Sequence, residues 1–366
     1  MLSVSRTKWL VMALVFSLLV ACSQPAAQPS SSPAAPSAPQ SDLTGIKTYL
    51  VEKTKTLGVT TATLRDLSDR YYALAKEANF DYGMLWQNSP DDVKTTILDA
   101  RAAWMKASPL YEQMEGIVAG TPSLAEFDVI LDAGASGAED PENAVPFDLT
   151  LPDGRVLPKP GNLFGVLEST LWGTFADYTA PDVQPDFDGN GVIDLGDALP
   201  DANVFKATAE ALDSYAQELA TAGAAWQPTT AEAFSALVVM VPTMNEYFGS
   251  WRDSRFVTGA ASTQRDFVAI SRLADIQDIL GGLQVVYAEV QPLVATVDAT
   301  QAEQIASGLL ALKKFVADIH QQENEGKRFT PEEADLLGTE AQNQATAITG
   351  QVSQAAAQLQ ITIEEE

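Results

Sequence analysis

LRDLSDRYYALAKEA, Leu64–Ala78, is the stretch from which the fold is read. Its apolar residues Leu64, Leu67, Tyr71, Leu74, Ala75 and Ala78 recur at intervals of three and four, the spacing of one face of an α-helix. A half-buried strand would alternate at every second residue. The same period continues outward. Pro90-Asp91-Asp92 opens a long helix through Ile97, Ala100, Trp104, Tyr111 and Met114, which Pro109 is expected to kink or break. The Gly-, Pro- and Asp-rich stretch 134–160 reads as a long loop, with a hairpin at Leu151-Pro152-Asp153-Gly154-Arg155-Val156. A helix is expected from Asn162 to Tyr178. After an interruption at Pro181–Pro200, helices are expected near 201–223, 229–249, 263–291, 299–323 and 330–361. Thr330-Pro331-Glu332-Glu333 is a strong helix start, with a capping hydroxyl and proline at the first position. Strand signals are few, so the fold class is all-α, two packed helical bundles.

The first residues read as an address. Arg6 and Lys8 precede an apolar run, Trp9–Ala21, of signal-peptide length and too short to span a bilayer comfortably. It ends in Leu19-Val20-Ala21-Cys22, which resembles a bacterial lipobox, in which the cysteine is acylated and becomes the new N-terminus. The expected organisation is a signal peptide at 1–21 and a lipidated Cys22 with a Pro/Ala/Ser-rich tether at 22–42. An N-terminal helical half at 43–185, an acidic loop at 186–197 and a C-terminal helical half at 198–366 follow. A membrane is thus an expected partner, through the lipid anchor, on the periplasmic side of a membrane or at the cell surface.

Cys22 is the sole cysteine, so a disulfide, a thiolate metal site and a cysteine nucleophile are all excluded once it is acylated. The chain carries 22 Lys+Arg against 49 Asp+Glu, a net charge of −27. That argues against nucleic acid as a partner and is compatible with cation binding.

Residues 186–197, DFDGNGVIDLGD, match the register of an EF-hand loop. Asp186, Asp188 and Asn190 stand at positions one, three and five, and Gly191 stands at six, where the chain turns sharply. Val192 offers its carbonyl at seven, and Ile193 at eight is expected to pack the loop. Asp194 stands at nine and Asp197 at twelve. Calcium takes six to eight hard oxygens, and this spacing wraps them around one point. The shorter Asp197 replaces the usual glutamate, and Pro181 and Pro185 disfavour a regular incoming helix. Calcium is therefore an expected cofactor, in a structural role.

Leu163-Phe164-Gly165-Val166-Leu167-Glu168-Ser169-Thr170-Leu171-Trp172-Gly173 resembles the signature helix of the imelysin/EfeO-like family, G-x-H-x-x-E followed by Leu-Trp. Glu168 matches the glutamate and Leu171-Trp172-Gly173 the tail. Gly165 stands at the histidine position and Leu163 at the leading glycine. Trp104–Asp132, Asp278–His320 and Gly326–Glu333 resemble further segments of that family. The resemblance implies two helical bundles and a periplasmic or surface protein, with iron as the bound ligand and an iron permease or other envelope protein as partner. The family was named for a peptidase. His320 is the sole histidine, and no H-E-x-x-H, Cys–His pair or G-x-S-x-G occurs.

A set of carboxylates remains. Glu112 and Glu115 are three apart on one helix face, and Asp128 and Asp132 are four apart. With Glu168 they form the expected second cation site, an oxygen-rich set suited to a hard ion. His320 is expected on a helix surface. The reading is a lipid-anchored, calcium-stabilised binding protein in iron or other metal acquisition. The alternatives are an envelope interaction or scaffold protein without a second metal site, and a peptidase.

Overall fold

Helix α1 spans Thr44–Glu77, and the stripe that announced it is the buried one: Leu50, Leu57, Leu64 and Tyr71 are fully enclosed. The computed structural model describes residues 42–363 apart from 181 and 188. The leader, Cys22, the tether and Asp188 therefore lie outside the described residues. Among the described residues, no helix is long and apolar enough to cross a membrane.

The chain continues through α2 (Tyr82–Asn88), α3 (Pro90–Val118) and α4 (Ala125–Asp128), which runs into a π-helical turn at Val129–Ala133. A two-residue hairpin, β1 (Leu149–Thr150) and β2 (Val156–Leu157), stands where the turn chemistry placed one. Then come α5 (Leu163–Trp172), the strand pair β3 (Thr179–Ala180) and β4 (Leu199–Pro200), and α6 (Ala202–Ala225). The remainder is α7 (Thr230–Met240), α8 (Met244–Asp253), α9 (Arg255–Thr258), α10 (Arg272–Val297), α11 (Ala299–Asn324) and α12 (Pro331–Leu359).

The fold is all-α. One bundle gathers α1, α3, α5 and α6; the other gathers α7, α8, α10, α11 and α12. Sequence order and packing diverge at one point. Helix α6, on the C-terminal side of the acidic loop, lies along α1 and α5, so the chain re-enters the first bundle after the loop. The two bundles meet where α10 packs on α3. Glycines set how closely: a Cβ on Gly282 would come within 2.4 Å of the Gln113 carbonyl, and one on Gly116 within 2.8 Å of Leu283.

Several helix limits differ from expectation. Pro109 does not break α3, which continues to Val118 with Ala107 and Tyr111 fully buried on either side of the proline. The expected 162–178 helix stops at Trp172, because Gly173 turns left-handed (φ +74°) and returns its N–H to Ser169 O at 3.0 Å. The expected 229–249 helix is divided at Pro242. The 263–291 helix begins only at Arg272, behind a Ser271 cap, and an irregular segment precedes it. The helix start expected at Thr330 is present, and Thr330 and Glu333 cap it reciprocally.

Candidate metal centre

The α3–α10 contact brings the C-terminal half of α3 under the first turn of α10. Glu112 and Glu115, three apart on α3, turn inward and are 1% and 3% exposed. Asp128 closes α4, and Asp132 projects from the π-helical turn that follows; both are buried. Oxygens of Glu112, Glu115 and Asp132 lie within 4.8 Å of one another. Asp128 joins through Tyr111, whose hydroxyl donates to it at 2.7 Å.

The α8 and α10 side supplies the partners of these carboxylates. Tyr247 donates its hydroxyl to Glu115 Oε1 at 2.8 Å. The other Glu115 oxygen is buried without a partner. Arg272 Nη1 reaches Glu112 at 3.3 Å and Asp275 at 3.3 Å. Its guanidinium lies 4.6 Å from the Tyr247 ring and 4.5 Å from the Phe267 ring. Arg272 and Asp275 carried one usable signal, a charge pair three apart at a helix start. Tyr247 carried none, since its stripe reads as ordinary core.

Five buried carboxylates, Glu112, Glu115, Asp128, Asp132 and Asp275, thus surround one guanidinium. Burial, with the neighbouring charge of Glu115, pushes Asp132 up to about 8. Burial raises Asp275 to about 6 against the pull of Arg272. Glu112 and Asp128 are held well above the usual carboxylate range, again by burial first and by each other's neighbours second. Burial pulls the Arg272 guanidinium down, but Glu112, Glu115, Asp275 and Asp132 outweigh it and hold the group firmly charged. Hard oxygens at this density suit a hard cation.

A cavity of about 990 Å³ opens onto Glu115, Asp128, Asp132, Tyr247 and Arg272. Behind it a void of about 10 Å³ lies among Glu112, Asp132, Glu168, Asp266 and Asp275. That is close to the smallest space that holds a single water.

Glu168 differs from the other expected residues. It lines the small void, yet both its oxygens are engaged by backbone. Oε2 accepts from Phe267 N at 2.8 Å, and Oε1 accepts from Val268 N at 2.9 Å and Ala269 N at 2.8 Å. Burial first, and Asp266 second, raise it to about 8 in spite of those bonds. Its first role is therefore to fasten the segment ahead of α10. Gly165 has a local reason as well. A Cβ there would meet Asn162 Oδ1 and Asp266 Oδ2 at 3.0 Å, because Asn162 caps α5 by accepting from Gly165 N at 2.7 Å. His320 is half-buried on α11, with Nδ1 2.9 Å from Gln277 Nε2, remote in sequence from these groups.

The acidic loop is built differently. Strands β3 and β4 pinch its ends together. Asp186 accepts from Gly189 N at 2.7 Å, Asn190 N at 3.1 Å and Gly191 N at 2.8 Å. Asn190 Oδ1 accepts from Val192 N at 2.6 Å, and Asp197 accepts from Phe187 N at 2.9 Å and Asp194 N at 3.1 Å. Gly191 takes φ +81° at the loop's sixth position, the sharp turn for which glycine was expected. The expected packing role of Ile193 is not observed: Ile193 is 49% exposed and Val192 57%. Phe187 anchors the loop instead, buried edge-on against Trp86 and beneath the Arg101 guanidinium. Arg101 also donates to the Leu171 carbonyl at 3.0 Å and to that of Gly196, tying the loop to the end of α5.

No curated protein matches the chain. The family model described as imelysin, Peptidase_M75, matches residues 48–354, which takes in every carboxylate of the cluster and the acidic loop. The chain belongs to the imelysin family.

Proposed function

We propose that this protein binds a hard metal cation, iron or another, at the α3–α10 cluster, and that it serves metal acquisition at the cell envelope. One observation carries the reading. Glu112, Glu115 and Asp132 converge to within 4.8 Å while a buried Glu115 oxygen has no partner. Without a cation between them, carboxylates held this close must take up protons, as the raised Asp132 does, and a metal ion would displace those protons. Lipid anchoring at Cys22, a structural calcium at 186–197 and delivery to an envelope permease complete the proposal. They rest on the lipobox, the loop register and the family resemblance.

The Arg272 pairing favours a second reading, in which the carboxylates are structural and the protein is an envelope scaffold. Titration separates the two. Metal-stripped protein, with the loop saturated by calcium, is titrated with ferric ion kept soluble as citrate and with divalent metals. The metal reading expects one binding event that weakens at least tenfold in Glu115→Gln and in Asp132→Asn. No event in the wild type, or one indifferent to both substitutions, leaves the scaffold reading standing.

A further inference from the structure

The segment between α9 and α10 is irregular, yet it is fastened to α5 at successive points. Ser169 Oγ donates to the Arg265 carbonyl at 3.1 Å, and Thr174 Oγ1 donates to the same oxygen. The Arg265 side chain donates to Glu139 at 2.8 Å and to Ser136 at 3.0 Å, with Phe175 4.1 Å beneath it. Glu168 then takes three consecutive backbone N–H groups, those of Phe267, Val268 and Ala269. Within this grip Phe267 adopts φ +52°. A bulky residue occupies the left-handed region only where its surroundings impose it. The consequence is directional, because the imposed backbone turns the Phe267 ring onto Arg272, 4.5 Å from the guanidinium, which also lies 4.6 Å from the Tyr247 ring.

We propose that Glu168 is a positioning residue of the cation site: it holds 267–269 so that Phe267 seats Arg272 in its ion pairs with Glu112 and Asp275 rather than in one with Glu115. The proposal rests on the cation reading above. The unpartnered Glu115 oxygen is the acceptor a loosened Arg272 would seek, and an arginine bound there would compete directly with a metal. Seating Arg272 aside therefore leaves Glu115 and Asp132 free to take a cation. The glutamate of the signature helix would then serve the site through the loop that it holds rather than as a ligand.

The test is a double-substitution cycle on the whole protein with calcium present. Glu168→Gln keeps the shape but places an amide against the three N–H donors. Phe267→Ala keeps the Glu168 bonds and removes the ring. Each should weaken ferric-citrate or divalent-metal binding about tenfold, about 1.4 kcal/mol. The double variant should be no weaker than either single, since both act through one loop. Hydrogen exchange at the 267–269 amides should accelerate in Glu168→Gln and not in Phe267→Ala. Additive losses, or wild-type affinity in Glu168→Gln despite faster exchange, would overturn the proposal. If Glu168→Gln fails to fold, Phe267→Leu takes its place, and unchanged affinity there overturns it equally. If the wild type binds no metal, the cation reading fails, and the positional part is read alone from the Arg272 side-chain N–H resonance. That resonance should shift and sharpen toward a mobile guanidinium in either variant, and an unmoved resonance refutes the coupling.

Discussion

In the 186–197 loop, the groups that answer Asp186 and Asp197 are backbone N–H groups of the loop itself. Asp186 accepts from the N–H groups of 189, 190 and 191, and Asp197 from those of 187 and 194. At the α3–α10 cluster, the answering groups come from far along the chain: Arg272 for Glu112, Tyr247 for Glu115. Local backbone donors can form wherever the turn forms. Distant side-chain partners exist only once both bundles have packed. The loop can thus be altered without unfolding its neighbours, whereas the cluster is part of the interface that joins the bundles.

The largest expected difference comes from removing the distant cation. Arg272→Met leaves Glu112 and Asp275 buried without their counter-charge. Breaking a buried pair from one side costs about 3–5 kcal/mol. Thermal unfolding of the metal-stripped variant should fall accordingly, and added divalent metal should restore part of the loss if the cluster takes a cation. A loss below about 1 kcal/mol would mean that Asp275, raised only to about 6, is itself neutral or relaxed without Arg272, and that the contrast with the loop is overdrawn.

The two regions also differed in how far they could be read beforehand. The loop is a contiguous motif, so its glycine turn at 191 was legible at once. What was missed, the exposure of Ile193 and the anchoring by Phe187, depends on which surface the loop lies on. The cluster was half legible. Glu112, Glu115, Asp128 and Asp132 could be nominated by helix spacing and family resemblance, and Glu112, Glu115 and Asp132 do converge. Arg272, Asp275, Tyr247 and Phe267 could not be assigned, because their partners are set by the α3–α10 approach that Gly116 and Gly282 permit. Helix period gave the all-α class, but the end of α5 and the late start of α10 follow from tertiary anchoring. Glu168 holds the very segment that periodicity had assigned to a helix.

Next in size is the calcium response of the loop. A ligand that binds only the native state adds about 2.7 kcal/mol at one hundred times its Kd. A chelator should lower the unfolding midpoint of the wild type. Asp186→Ala combined with Asp188→Ala should erase that difference, with the cluster untouched. Identical melting with and without chelator in the wild type removes calcium from the loop.

A different effect separates the regions by pH. Asp132 and Glu168 are raised to about 8 and Asp275 to about 6, against unfolded carboxylates near about 4. The native state therefore holds more protons than the unfolded state between those values. Stability of the metal-stripped protein should fall as pH rises from about 5 to 8, the reverse of an ordinary salt-bridged carboxylate. Metal binding displaces those protons, so affinity at the cluster should rise over the same interval. A stability that increases toward pH 8 in Arg272-intact, metal-stripped protein would contradict the burial of these groups as carboxylic acids.

The smallest expected effect tests the loop where sequence and structure part. In an EF-hand register, the eighth position is the apolar residue that packs the loop, and Ile193 stands there. In the structure it is 49% exposed, while Phe187, next to the first ligand position, is buried against Trp86 and Arg101. An exposed aliphatic side chain contributes little, and such substitutions stay within about 0.5 kcal/mol. Ile193→Ser should therefore leave both the unfolding midpoint and its calcium-dependent increment within error of the wild type. A loss approaching 1.5 kcal/mol, the scale of a buried aliphatic side chain, would place Ile193 in a packed interface in the calcium-bound protein. The loop would then behave as half of a paired module rather than as the self-sufficient unit that sets it apart from the cluster.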